Sequence, residues 1–224
     1  MGRRDGHRAT VLLAVTLAVL AIVWAWAQQG VLRLARGAVV SAASPGVVLQ
    51  GGAASTPVAA TPGVRLREGT DVCAAQGAAT LALFDGSTLE LDVAAEARLS
   101  ELRSGPLGAP CEVAIEQRHG RVTYHATPGC RGRSYFRVHV PGARLAGRGA
   151  RFVVAIDAAG NTRIEVREGA LQVVGAGGGQ VVAQAGDTVR VVEGIVSLPL
   201  VPRPPLGMGS RGRSGVYGPV VGTG

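Results

Sequence analysis

The sequence predicts an all-β domain of antiparallel hairpins, forming a sandwich/jelly-roll-like or solenoid-like fold preceded by one N-terminal transmembrane helix. Two observations carry this. From Val64 to Pro199, short runs rich in Val, Leu, Ile and Thr recur with Gly between them and no helical period. Ahead of them, Ala9 to Ala27 is a run of 19 residues without a charge, close to the ~20 that cross a bilayer core as a helix.

Residues 1–8 are then a short cytoplasmic N-terminus. Arg3, Arg4 and Arg8 stand against Asp5 before the run, while Arg33 and Arg36 follow it. That bias favours an N-terminus-in orientation with the bulk of the chain extracytoplasmic. Trp24 and Trp26 sit at the far end, where amphipathic rings favour the interface. Ala25-Trp26-Ala27 has the small-x-small form of a cleavage site, which would make the protein secreted. The run is longer than the usual signal core of about 7–15 residues, so an anchor is preferred over a cleaved signal. Either way the domain is exported.

A β domain is expected over residues 28–199, with its core over about 64–199. Within it, Ser41–Gly63 carries no charge and offers only Val47–Leu49 as a short strand. The tail, 200–224, is rich in Pro and Gly and is expected to be disordered.

Three hairpins follow from side-chain alternation. In "ATLALFDGSTLELD" a three-residue loop Phe84-Asp85-Gly86 pairs Leu81 with Leu89 and Ala79 with Leu91, and puts Gly86 where a left-handed residue is needed. Glu90 and Asp92 then share the solvent face, and Asp85 is a turn residue. In "CEVAIEQRHGRVTYHA" a two-residue His119-Gly120 turn pairs Ile115 with Tyr124 and Val113 with Ala126. In "RFVVAIDAAGNTRIEV" a loop at Ala159-Gly160-Asn161 aligns Ile156 with Ile164 and Val154 with Val166. Each gives one apolar face, the way antiparallel sheets build a core.

Formal net charge is +8, and all 23 basic residues are Arg, with no Lys. A GC-rich coding bias gives the same pattern, and an exported location removes nucleic acid as the usual partner. Export also gives the cysteines meaning, because disulfides persist in oxidising compartments. Cys111 and Cys130 bracket the second predicted hairpin and are the expected pair, leaving Cys73. His119, His125 and His139 lie nearby, but no C-x-x-C or H-x-x-x-H spacing supports a metal site.

The order of motifs from about Gly37 to Gly194 resembles the FecR-like extracytoplasmic domain. The pieces are "VRLREGTDVCA", "ATLALFDGSTLELD", "VAIEQRHGRVTY", "FRVHVPGARLAGRGARFVVAIDAAGNTRIEVREGALQVV" and "VVAQAGDTVRVVEG". One departure is Gly149-Ala150 before Arg151-Phe152, where the family pattern favours Gly-Thr. The resemblance implies a non-catalytic domain. FecR-type regulators use a cytoplasmic arm to control a sigma factor and a C-terminal module to contact an outer-membrane transducer. Only eight residues precede the apolar run here, and a Gly/Pro tail follows the β domain, so the domain carries over and that circuit does not.

No enzyme constellation meets its geometric requirements. There is no G-x-S-x-G elbow for a serine nucleophile, and His119 falls in a predicted turn. Glu90 with Asp92, and Glu165 with Glu168, read as solvated strand faces rather than converging acids. "GAGGGQ" has no following helix or Lys and reads as a hairpin connection. No cofactor or metal is expected.

The candidate binding feature is an anionic-ligand patch of Arg131, Arg133, Arg137, Arg144, Arg148 and Arg151, interleaved with Tyr135 and Phe136 and free of acidic residues. The competing reading has these arginines on opposite faces, balanced in space by Glu112, Glu116 or Glu165. The expectation is a membrane-anchored binding module, sensory or accessory to an envelope protein partner. A structural or polysaccharide-binding envelope protein, with an anionic polymer as partner, is the alternative.

Overall fold

A computed structural model describes residues 34–51, 54–104, 111–127 and 135–198. The apolar run Ala9–Ala27 and the tail 200–224 lie outside the described residues. Among the described residues no helix is long and apolar enough to cross a membrane.

Every described element is a strand. The first half holds β1 (Leu34–Ala35), β2 (Gly37–Ala43), β3 (Val47–Gly51), β4 (Ala54–Ala59), β5 (Arg65–Arg67), β6 (Thr70–Ala74), β7 (Ala79–Leu83), β8 (Thr88–Leu91) and β9 (Ala95–Ser104). A long β10 (Cys111–Ala126) follows. The second half holds β11 (Tyr135–Val140), β12 (Ala143–Gly147), β13 (Ala150–Ile156), β14 (Thr162–Glu168), β15 (Ala170–Gly175), β16 (Gln180–Gln184), β17 (Thr188–Val192) and β18 (Ile195–Ser197).

Hydrogen-bond pairing sorts the strands into two sheets. The first runs β4-β3-β6-β9-β10-β11-β12-β15-β16, with β1 also on β9. The second runs β5-β2-β7-β8-β10-β13-β14-β17-β18. Among the described pairings only β10–β11 is parallel. After β10 the chain lays down hairpins alternately in the two sheets, and β12 joins β15 just as β14 joins β17. The described residues are thus all-β and mostly antiparallel, as the sequence leads one to expect.

The inner faces are built from alternating positions. On β7 the buried residues are Ala79, Leu81 and Leu83; on β8 they are Leu89 and Leu91. Tyr124 of β10 stacks on Phe152 of β13 at 5.0 Å, and Phe136 of β11 meets Phe152 edge-on at 6.5 Å from the other sheet. Aromatic contact of this kind ties the two sheets together beyond its buried area.

The hairpin at Asp85-Gly86 has the expected register, Leu81 opposite Leu89 and Ala79 opposite Leu91, with Gly86 at φ 85°. The hairpin at Gly160 exists but is shifted by two residues. Ile156 faces Thr162, Val154 faces Ile164 and Phe152 faces Val166. Asp157 N–H donates to Asn161 O, so the loop is Ala158-Ala159-Gly160 with Gly160 at φ 82° in its third position. Asp157 Oδ1 accepts from the N–H of both Ala159 and Asn161, which fixes that loop.

The expected turn at His119-Gly120 does not form. Cys111–Ala126 is one strand that leaves the first sheet and enters the second at Gly120. Ile115 pairs with Leu99 and Val138, and Tyr124 with Leu89 and Phe152. Gly120 sits at φ 76°, and a Cβ there would lie 2.4 Å from Ala95 Cα. The glycine therefore serves close passage between sheets rather than reversal. Residues 41–63 also contribute more than Val47–Leu49, since the end of β2, all of β3 and β4 fall there.

Candidate functional site

The first sheet carries one row of side chains across its outer face. Successive register partners are Gln50, Asp71, Arg98, Glu116, His139, Arg144, Val174 and Gln180, one from each of eight adjacent strands. From Asp71 to Glu116 the charge alternates in sign, the arrangement that favours cross-strand pairs. Asp71 lies 3.4 Å from Arg98 and 3.3 Å from Arg118, and Arg118 also reaches Glu96 at 2.9 Å and Glu116 at 3.5 Å. Arg103 forks onto Glu68 through Nε at 3.2 Å and Nη2 at 2.8 Å, a bidentate geometry that fixes both groups.

Beside this row is a groove of about 610 Å³ lined by Glu101, Glu116, Arg118, His119, His139 and Pro141 among others. Burial, then the guanidiniums of Arg144 and Arg137, hold the His139 imidazole below its ordinary range, with Glu101 and Glu116 opposing. The groove presents both signs of charge at fixed spacing, suited to docking a surface of complementary pattern. Among the described residues no group of three His, Cys, Asp or Glu side chains is placed to hold a metal.

The arginines singled out in the sequence fall in different places. Arg131 and Arg133 lie outside the described residues. Arg137 and Arg144 are on the outer face of the first sheet, Arg148 is in the turn after β12, and Arg151 is on the second sheet. Arg137 pairs with Glu101 at 3.1 Å, and Arg151 lies 3.9 Å from Glu168. Glu101 and Glu168 thus stand against Arg137 and Arg151.

The acidic positions hold structure together. Asp85 accepts from the N–H and Oγ of Ser87, shaping its turn. Glu90 and Asp92 are exposed, and Asp92 lies 3.4 Å from Arg121. Glu165 contacts both Arg163 and Arg167. Cys111 is disulfide-bonded and Cys73 is a free thiol, while Cys130, the expected partner of Cys111, lies outside the described residues. Burial, then Glu96 and Asp71, push the Cys73 thiol above its ordinary range.

One residue of consequence went unread in the sequence. Gln117 is 1% exposed, and its Nε2 donates to Gly120 O at 2.9 Å and Val154 O at 3.2 Å. Its place on the inward side of an alternating strand, one step past Glu116, was the available signal.

Comparison with known proteins gives matches to a family model and to solved structures. Residues 70–172 match the family described as FecR protein. Two crystal structures of a candidate anti-sigma factor from Parabacteroides distasonis are similar at 16% identity. One covers 55% of each chain with a TM-score of 0.43. The other covers 58% of each with a TM-score of 0.45. The present chain thus aligns with little more than half the length of either. No curated protein matches. The resemblance read from the strand motifs is therefore met by an independent match, in which residues 70–172 fit the FecR family model.

Proposed function

We propose that the chain is a non-catalytic regulatory module that displays its FecR domain outside the cytoplasmic membrane on a single N-terminal helix and signals by binding an envelope protein. The observation that carries this reading is the FecR match over residues 70–172. That segment contains Asp71, Arg98, Glu116, His139 and Arg144, so the alternating charge row is offered as the contact face. Its ion pairs are partly exposed, and exposed pairs contribute little to stability. Matched charges across an interface, by contrast, select partners and set register. The uncharged run Ala9–Ala27 supports the anchor.

The test is capture from detergent-solubilised membranes with the tagged full chain, beside a Glu116→Lys/Arg144→Glu double variant. A membrane regulator held by the parent and lost by the double variant is the expected result. Retention on cell-wall polymer instead would replace regulation with the structural reading. Turnover of an envelope substrate by the purified chain would overturn both. An alkaline phosphatase fusion after Leu198 tests the location, active enzyme being expected.

A further inference from the structure

The outer face of the second sheet is charged in a different manner. One cross-strand row there reads Arg121 on β10, Ala155 on β13, Arg163 on β14 and Arg190 on β17. No acid interrupts it. Arg163 and Arg190 are direct register partners, and like charges in that relation destabilise a sheet. Arg163 has Glu165 at 3.1 Å, but Glu165 is shared with Arg167 at 2.7 Å. Among the described residues Arg121 has only Asp92, at 3.4 Å and half-exposed. Among the described residues Arg190 makes no ion pair.

These side chains border a groove of about 660 Å³, also lined by Val93, Asp157, Asn161 and Val192. Among the described residues Asp157 makes no ion pair with these arginines; its carboxylate accepts from the N–H groups of Ala159 and Asn161 and from Asn161 Nδ2. Ala155 leaves the middle of the row low, between Arg121 on one side and the Arg163–Arg190 pair on the other. Val93 and Val192 are exposed at 57% and 48%, giving the groove apolar flanks.

We infer that this groove binds an extended acidic peptide segment of a partner protein. Four adjacent strands at about 4.8 Å spacing set the row at about 14 Å. An extended peptide covers that distance in about four residues. Carboxylates along it would meet guanidiniums that present forked donors suited to bidentate pairing. Aliphatic residues at its ends would cover Val93 and Val192. A dense polyanion fits less well, since exposed Val93 and Val192 make the groove partly apolar. The inference uses the sheet opposite the charge row proposed for regulation and does not depend on that reading.

The test is fluorescence-anisotropy titration of the full chain in detergent with a labelled eight-residue peptide, four glutamates between aliphatic pairs. Binding is expected to weaken about tenfold or more in Arg190→Ala and Arg163→Ala, that is by ~1.4 kcal/mol each. It should be unchanged in Arg65→Ala, which lies on β5 at the far edge of the same sheet. Circular dichroism melts check that each variant is folded, and Arg190→Glu serves as a second probe of the same position. Equal binding by the glutamine version of the peptide would overturn the proposal. So would insensitivity to Arg190 and Arg163, or polyphosphate that binds as tightly as the peptide and depends on the same arginines.

Discussion

Tyr124 Oη donates to Gln117 Oε1 at 3.0 Å inside the core, across the bend by which one strand passes between the two sheets. Both ends of that contact are sealed, Tyr124 at 0% exposure and Gln117 at 1%. Burial drives the Tyr124 phenol far above its ordinary range, so it stays a donor at any pH the protein survives. Gln117 therefore has three protein partners, Tyr124, Gly120 and Val154. Gln117→Leu is expected to cost about 2–4 kcal/mol through buried groups left unpaired, and Tyr124→Phe about 1–2 kcal/mol. Urea unfolding of the two singles and the double measures it. The double should cost less than the sum, because each single strands the other's partner.

Gly120 supplies the backbone of the same bend. An added Cβ would lie 2.4 Å from Ala95 Cα and 2.5 Å from Ala94 O, both backbone atoms that cannot swing aside. Gly120→Ala should cost about 3 kcal/mol or more, or prevent folding. Gly178 makes the control, since it sits at φ 84° with nothing within 4 Å of a new Cβ. Gly178→Ala pays only the left-handed backbone, about 1–2 kcal/mol. Equal losses at the two sites would show that crowding at Gly120 contributes nothing.

The sequence made the strands legible and the path between them only partly so. Alternation alone found β7 and β8 in register, because Gly86 was assigned the third loop position and the apolar pairs then followed. At Gly160 the glycine was assigned the second position, and one step in the loop became two in the ladder. Holding Gly to the third position in both would have recovered Val154 opposite Ile164. The crossing at Gly120 was hidden for a different reason. Ile115 and Tyr124 both face the core, but from different sheets, so an apolar-pairing test accepts them as partners. The strand β9 escaped because Ser100 and Glu101 break its alternation at a bulge opposite Ala114 and Ile115. Of the binding surface, the arginines were visible but their faces were not. A row such as Arg121, Ala155, Arg163 and Arg190 is drawn from four separate segments and exists only once register is known.

Glu68 gives an acid-sensitive link. Its carboxyl is held below the usual range, first by the Arg103 side chain and also by the Leu102 N–H, against an opposing effect of burial. A carboxylate lowered on folding contributes stability above its unfolded value, about 4.3, and loses it as pH falls through the folded value. Glu68→Gln should therefore lower the urea midpoint at pH 7 and make less difference at pH 3. The effect is modest, because Arg103 and Glu68 are 39% and 29% exposed. A loss as large at pH 3 as at pH 7 would assign it to packing instead.

His139 acts near neutral pH with the same sign of slope. Its imidazole is packed against Glu116 of β10 and Arg144 of β12 by register, with Arg137 on its own strand and Glu101 on β9 also acting on it. Burial and the two arginines outweigh the two glutamates and lower its affinity for a proton. The unfolded chain, with an ordinary value of about 6.5, then binds that proton before the folded one does. Wherever the unfolded state holds more protons, stability rises with pH. Folded stability should accordingly fall as pH drops through about 6.5 towards the folded value, and level off below it. His139→Gln removes the titrating group while keeping a polar side chain, so its urea midpoint should vary less between pH 7 and pH 5. Because Arg144→Ala deletes one of the opposing cations, it should move the midpoint of the His139 titration upward in NMR. A parent and a His139→Gln variant with the same slope would place the pH response elsewhere.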